Sequence, residues 1–419
     1  MYKKSHHLFL ISLICLLLAA CANVGTSKPH PAQANKEQWV NDVKDADFFF
    51  WERFYNRKNR DASEFPQPAD WYVPSSLVAG TDSTAWPRAS DTQKTISNAA
   101  WQNIWKWALD RQTGALMIVR NGRVEYEGYA DGHHAGELLA VRSFTKTLPA
   151  LLVGRALQDG FIESLDDPLE KYLTEWRGDP RGKIRVHDLL TWSSGLKKVR
   201  ADKDDPNNLA IRLAEGSDIE SLALNWPQEH APNTVFAVNQ VDQQVAALVI
   251  ERATGLPYEK YLSKALWRPI GASTATLNLD GKYGRVRTFC CMRASLSDWL
   301  RIGELLMNRG FVNDTQVLPA AYVDSMFKPS NANPYMGMSV WNGWMGKRAK
   351  VGPQGQFWSI PQEQPYKVEV NFILGGRSML LWMVPELDLM VVRWGDDDPA
   401  WTPEYIINHI IDDLSAGSK

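Results

Sequence analysis

Ser143 and Lys146 stand three residues apart in Ser143-Phe144-Thr145-Lys146, at the head of a long apolar run containing Leu148, Leu151, Leu152, Val153, Ala156 and Leu157. On a helix, residues at this spacing share one face, so the amine can reach the hydroxyl. That is the minimum equipment for a serine nucleophile that needs no histidine. At the start of a helix the serine oxygen lies beside unpaired backbone N–H groups and the positive end of the dipole, which favours a developing oxyanion. A lysine one turn in is partly desolvated. Burial disfavours its charge, lowers its pKa and suits it to act as a base. The spacing alone is weak, since Ser194/Lys197 and Ser325/Lys328 repeat it. Gly195 follows Ser194 and Pro329 follows Lys328, so neither pair opens a helix. A capping serine followed by a solvated lysine would give the same letters.

The elements that must position this pair are readable in part. Ile96 to Leu109 has a helical pattern. Ala115 to Arg120, then Asn121-Gly122, then Arg123 to Tyr126 predicts a hairpin, because Asn-Gly supplies the left-handed residues of a tight turn. Helical periodicity dominates from about Thr147 to Met307. Met379 to Val384 and Leu387 to Trp394 predict strands joined by Pro385-Glu386, and Pro403 to Leu414 a closing helix. Strands at both ends and helices between them predict an α/β (α+β) body: a sheet built from N- and C-terminal segments, with an inserted all-helical part.

The chain begins like an exported one. Lys3 and Lys4 precede the apolar stretch Leu8 to Ala20, which is too short to span a bilayer and suited to a signal peptide. Leu18-Ala19-Ala20-Cys21 resembles the bacterial lipobox, in which the cysteine is diacylated. This implies a membrane partner through lipid on Cys21, and Ala22 after it implies the outer membrane of a bacterial envelope. A secreted protein with an incidental cysteine is the alternative. The expected organisation is a signal peptide over 1–20, a flexible tether over 21–37, an aromatic extension over 38–95 that wraps the body partly as coil, and a main domain over 96–415. The net charge of −2 in 419 residues, with no basic stripe, argues against a nucleic-acid partner. Cys290 and Cys291 are adjacent, and because such neighbours close a strained ring no disulfide is expected. Buried thiols are the expectation, with a reactive or metal-binding pair as the alternative.

Further motifs follow the Ser-x-x-Lys run: Leu165-Asp166-Asp167-Pro168-Leu169, Val186-His187-Asp188-Leu189-Leu190-Thr191-Trp192-Ser193-Ser194-Gly195, Pro232-Asn233-Thr234-Val235-Phe236, and Ala246 to Gly255. In this order they resemble the serine β-lactamase-related family, over roughly 96–415. That family includes class C β-lactamases, DD-peptidases, some esterases and 6-aminohexanoate-oligomer hydrolases. The resemblance implies a β-lactamase/DD-peptidase-like fold, a small-molecule or peptide-like substrate and no cofactor or metal. It implies an acyl-enzyme at Ser143 with Lys146 as activator. It places Gly375, Gly376, Arg377 and Ser378 on a strand lining the site, with a backbone N–H near Arg377 joining that of Ser143 as an oxyanion hole.

The chain departs from the family at its second motif, Val238-Asn239-Gln240, where a tyrosine ordinarily relays the serine proton to the leaving group. Val238 has no proton to give. Either Lys146 serves as both base and acid, or the protein is a degraded hydrolase that binds peptidoglycan fragments or β-lactam-like ligands. Among the 18 tryptophans, Trp192, Trp341 and Trp344 fall near loops that border the family's site. His133 and His134, with Asp131 and Glu137, read as a solvated loop rather than a metal site.

Overall fold

The computed structural model describes residues 48–59, 72–81, 85–343, 350–351, 356–357 and 363–417. The leader, Cys21, the tether and Trp344 lie outside them.

In chain order, helix α1 (Phe48–Asn59) and strand β1 (Ser75–Val78) precede helix α2 (Asn98–Leu109). The hairpin is β2 (Thr113–Arg120) and β3 (Arg123–Tyr129). Its turn residues Asn121 and Gly122 both take positive φ, 50° and 67°, as the sequence requires. The short β4 (Leu139–Ala140) leads through a 3₁₀ turn, Arg142–Lys146, into helix α3 (Thr147–Gln158). Helix α4 (Gln240–Thr254) is followed by β5 (Ala275–Asn278), β6 (Met292–Ala294) and helix α5 (Leu296–Met307). The C-terminal part supplies β7 (Trp341–Asn342), β8 (Asn371–Gly375), β9 (Met379–Val384), β10 (Leu389–Gly395) and helix α6 (Glu404–Gly417).

Among the described residues the main sheet has six antiparallel strands in the order β3-β2-β10-β9-β8-β7. It joins the two ends of the domain, as predicted: Val391 pairs with Ile118 across β10 and β2. Alternate residues of β2, β9 and β10 serve two cores. Ile118, Leu380 and Val391 face the layer of α2 and α6, with Ile104 and Ile407. Met117, Leu381 and Val392 face the layer that contains α3, α4 and α5. Because both faces are covered, these strands are near-continuous apolar runs rather than alternating, with the buried Arg393 of β10 as an exception.

A second antiparallel sheet, β1-β5-β6-β4, has no counterpart in the sequence-based expectation. Its first strand lies in the 38–95 extension, in a stretch expected to be coil. Helix α1 packs Phe50 and Phe54 on Ile211, and Arg53 donates to Leu279 O and Asp280 O, both at 2.9 Å.

The adjacent cysteines are joined by a disulfide, contrary to expectation. Cys291 takes a positive φ of 74°, a conformation uncommon outside glycine.

Candidate active site

Ser143 does not cap an α-helix. It sits inside the 3₁₀ turn that precedes α3, where residues three apart eclipse each other. The turn is pinned on all sides. Phe144 is fully buried, with its ring edge-on to Trp299 at 5.3 Å. Thr145 Oγ1 donates to Arg142 O at 2.9 Å, and Val141 N–H donates to Met292 O of β6 at 3.4 Å. From the other side comes the end of β8. A Cβ at Gly375 would lie 2.8 Å from Val141 O and 3.2 Å from Phe144 Cδ1. Only glycine lets that strand approach the turn so closely.

Ser143 opens onto a cleft of about 250 Å³, lined also by Arg53, Tyr72, Arg142, Gln240 and Gly376, with the Cys290–Cys291 disulfide at its wall. Of the third-motif residues, Gly376 therefore reaches the cleft. Arg377 and Ser378 form the turn after the strand rather than part of it, at φ of 63° and 54°. The Arg377 guanidinium is ion-paired with Asp396, and Ser378 Oγ donates to Asp397 at 3.1 Å. Their carbonyls accept from the buried Arg393 at 3.1 and 2.9 Å.

Lys146 is only 3 % exposed. Its Nζ stands 5.6 Å from the Phe289 ring centroid and 3.4 Å from the Gln243 carboxamide. The amide orientation that satisfies both of its ends has the oxygen accepting from Trp192 Nε1 at 2.8 Å and the nitrogen donating to Asn239 O at 2.7 Å. That turns an N–H-bearing nitrogen, not an oxygen, toward Lys146, an arrangement suited to an amine with a lone pair rather than an ammonium. Burial lowers the Lys146 pKa to about 7, with the Asp242 carboxyl pulling the other way. Burial likewise raises Asp242 to about 8, against the Ser194 hydroxyl that donates to it at 2.7 Å and the pull of Lys146. Both groups are thus driven toward their uncharged forms.

The second motif divides. Gln240 lines the cleft, and Val238 packs half-buried against the core cluster that includes Phe236 and Trp341. Asn239 ties the start of α4 to the Ser-Ser-Gly segment, donating from Nδ2 to Leu196 O at 3.1 Å and to Lys197 O at 3.3 Å. The Pro-Asn-Thr run lies directly against that segment: Asn233 N–H donates to Ser193 O at 2.7 Å, and a Cβ at Gly195 would sit 2.1 Å from His230 O. Trp192 and Trp341 are buried, so they hold the framework instead of lining a groove. Ser325 Oγ donates to Tyr322 O at 2.6 Å, a local bond at the end of a short helix. His133 Nδ1 lies 2.9 Å from Glu137 Oε2.

A model of the family described as Beta-lactamase matches residues 101–394, more than half of the chain. The chain belongs to the beta-lactamase family. The fold expectation is met, with its helices and antiparallel sheets matching those of solved family structures. A "Putative 6-aminohexanoate-dimer hydrolase" from Bacillus anthracis superposes at a TM-score of 0.63 over 94 % of this chain and 98 % of that one, at 17 % identity. A class C beta lactamase from Rhodobacter sphaeroides superposes at 0.52 over 77 % of this chain and 99 % of that one, at 16 % identity. In sequence, a "Putative D-alanyl-D-alanine carboxypeptidase" from Salmonella heidelberg is 23 % identical over 188 residues, 39 % of this chain and 43 % of its own length. The match thus spans less than half of that relative.

Within this beta-lactamase-family domain, sequence reasoning missed Asp242, Gln243 and Tyr72. The first two belong to a polar triplet with Gln244 that precedes the apolar run 245–250 of α4, and all three are buried. Polar residues on the inner face of a helix are the signal that could have found them. With its pKa raised to about 8, Asp242 is largely protonated where Lys146 titrates, near 7, so Asp242→Asn should leave the acidic limb of kcat/KM nearly in place. A pH profile on a chromogenic ester measures this; a limb moved to lower pH would mean that Asp242 is charged there and holds the Lys146 proton.

Proposed function

We propose that the protein is a serine hydrolase that forms an acyl-enzyme at Ser143. Neutral Lys146 takes the Ser143 proton as Oγ attacks a substrate carbonyl. The tetrahedral intermediate then expels an amine or alcohol, which leaves with that proton. Water next attacks the ester, and Ser143 recovers its hydrogen. The developing oxyanion is assigned to the backbone N–H groups of Ser143 and of the turn at Gly376-Arg377. The observation that carries this reading is a fully desolvated lysine, held near its neutral form, one 3₁₀ turn from a cleft-lining serine. Its test is covalent: a fluorophosphonate should label Ser143, and a chromogenic amide or ester should turn over.

The apolar packing of Val238 supports a second reading, a protein that binds peptide-like or β-lactam-like ligands in the same cleft without turning them over. Labelling without release of product would favour it.

We further propose that the protein is held at a bacterial envelope membrane by lipid on Cys21, on the periplasmic side of the outer membrane. Cells fed a radiolabelled fatty acid should incorporate it into the protein. Cys21→Ala should lose all of the label and leave the protein in the soluble fraction; retained label would refute the anchor.

A further inference from the structure

The cleft carries a guanidinium with no direct partner among the described residues. Arg142 precedes the nucleophile, lines the cleft with it, and has no hydrogen-bond or ion-pair partner for its guanidinium among the described residues. Its neighbours are otherwise engaged. Arg377 is held by Asp396, Arg293 Nε donates to Leu138 O at 3.1 Å, and Arg53 is spent on backbone carbonyls. The guanidinium is largely buried; Arg377 opposes its charge, and Tyr72, Asp396 and Asp397 favour it more weakly without hydrogen-bonding to it. An arginine stays charged at any physiological pH, so the hydrogen-bonding partner it lacks is an anion.

The backbone is arranged to put it there. Arg142 takes a left-handed φ of 50°, a costly conformation for an arginine. Gly376 opposite makes room: a Cβ there would meet Arg142 Cδ at 3.3 Å. The facing wall holds Tyr72, a buried phenol whose environment includes Arg142 and Arg293. Tyr72 and Arg53 both precede residue 101, where the family match begins. The extension therefore completes the cleft with polar groups of its own.

We propose that the cleft is a carboxylate subsite, in which Arg142 pairs with a carboxylate on the acyl side of the substrate and the extension's Tyr72 closes the pocket over it. The acyl donor is then an anionic monoester or monoamide of a short dicarboxylic acid or acidic amino acid. The turnover arm of the test rests on the hydrolase reading above; a second arm does not.

In the first arm the full-length protein is given the p-nitrophenyl monoester of glutaric acid and, separately, p-nitrophenyl pentanoate. The kcat/KM ratio should favour the anionic ester. Arg142→Gln should lower that ratio about 10- to 100-fold, the worth of one charge-assisted hydrogen bond, and Arg142→Lys should restore part of it. Tyr72→Phe should lower it less. A wild-type ratio near one, or a ratio untouched by Arg142→Gln, overturns the subsite while leaving the hydrolase standing.

In the second arm Ser143→Ala is titrated by calorimetry with monomethyl glutarate and with dimethyl glutarate. Binding of the monoanion alone, lost in the Ser143→Ala/Arg142→Gln double variant, supports the subsite even if no ester is turned over. Equal binding of both, or of neither, overturns it.

Discussion

Ser143→Ala should abolish fluorophosphonate labelling and reduce ester turnover by at least about 10³-fold, with the melting temperature close to that of the wild type. The contrast between the two readouts follows from the turn itself. Phe144 and Thr145 anchor it through packing and hydrogen bonds, whereas the Ser143 side chain faces the cleft. Removing one hydroxyl there takes nothing from the core. Calorimetry and active-site labelling on the same preparation separate the two effects. Turnover that persists near the wild-type rate would move the nucleophile elsewhere.

Lys146→Met should be nearly as damaging, lowering kcat/KM by about 10²–10⁴-fold, the usual contribution of a positioned general base. It should also erase the acidic limb of the pH profile, which in the wild type should rise through about pH 7. Stability should move the other way. In the unfolded chain Lys146 keeps an ordinary pKa of 10.5, and in the folded protein burial lowers it to about 7. Below about 7 both states hold the proton, and the folded state carries the full cost of a buried ammonium. Between about 7 and 10.5 the unfolded state binds more protons, so this contribution to stability improves with pH. Asp242 runs oppositely: with its folded pKa raised to about 8, stability is lost as pH rises from its ordinary range through that value. At pH 6 Asp242 is protonated, so a methionine at 146 leaves no orphaned carboxylate behind. The variant should therefore melt higher at pH 6, by the equivalent of a few kcal/mol at most. A lower melting temperature would mean that the ammonium is better compensated than its surroundings suggest.

What could be read from the letters was whatever is written locally. The Asn121-Gly122 turn, the strands Met379–Val384 and Leu389–Gly395 and the two helices flanking the outer face carry their signal within a few residues. The Ser143/Lys146 pair was visible for the same reason. The second sheet was not, because its strands are two to four residues long and come from four separated stretches, one of them beside Val73-Pro74. Nor could spacing show that Gly376 would reach the cleft while Arg377 and Ser378 turned toward Asp396 and Asp397. The cysteine pair was misjudged because ring strain alone was weighed, and the backbone around Cys291, with its positive φ, is reported by no side-chain pattern. Asp242 and Gln243 become meaningful only when α4 is laid against the segment that carries Lys146.

The seam between β2 and β10 sets a timetable for the molecule. These two strands lie near opposite ends of the domain, yet they are neighbours in the middle of the main sheet. Contacts so remote along the chain are entropically expensive to close and form late. A ribosome that has already released the serine and its lysine has not yet made the glycine-tipped strand that must be set against them. The proposed Ser143–Lys146 site is therefore assembled only after β8, β9 and β10 have emerged, and a product truncated before them would carry both side chains without the strand set against them.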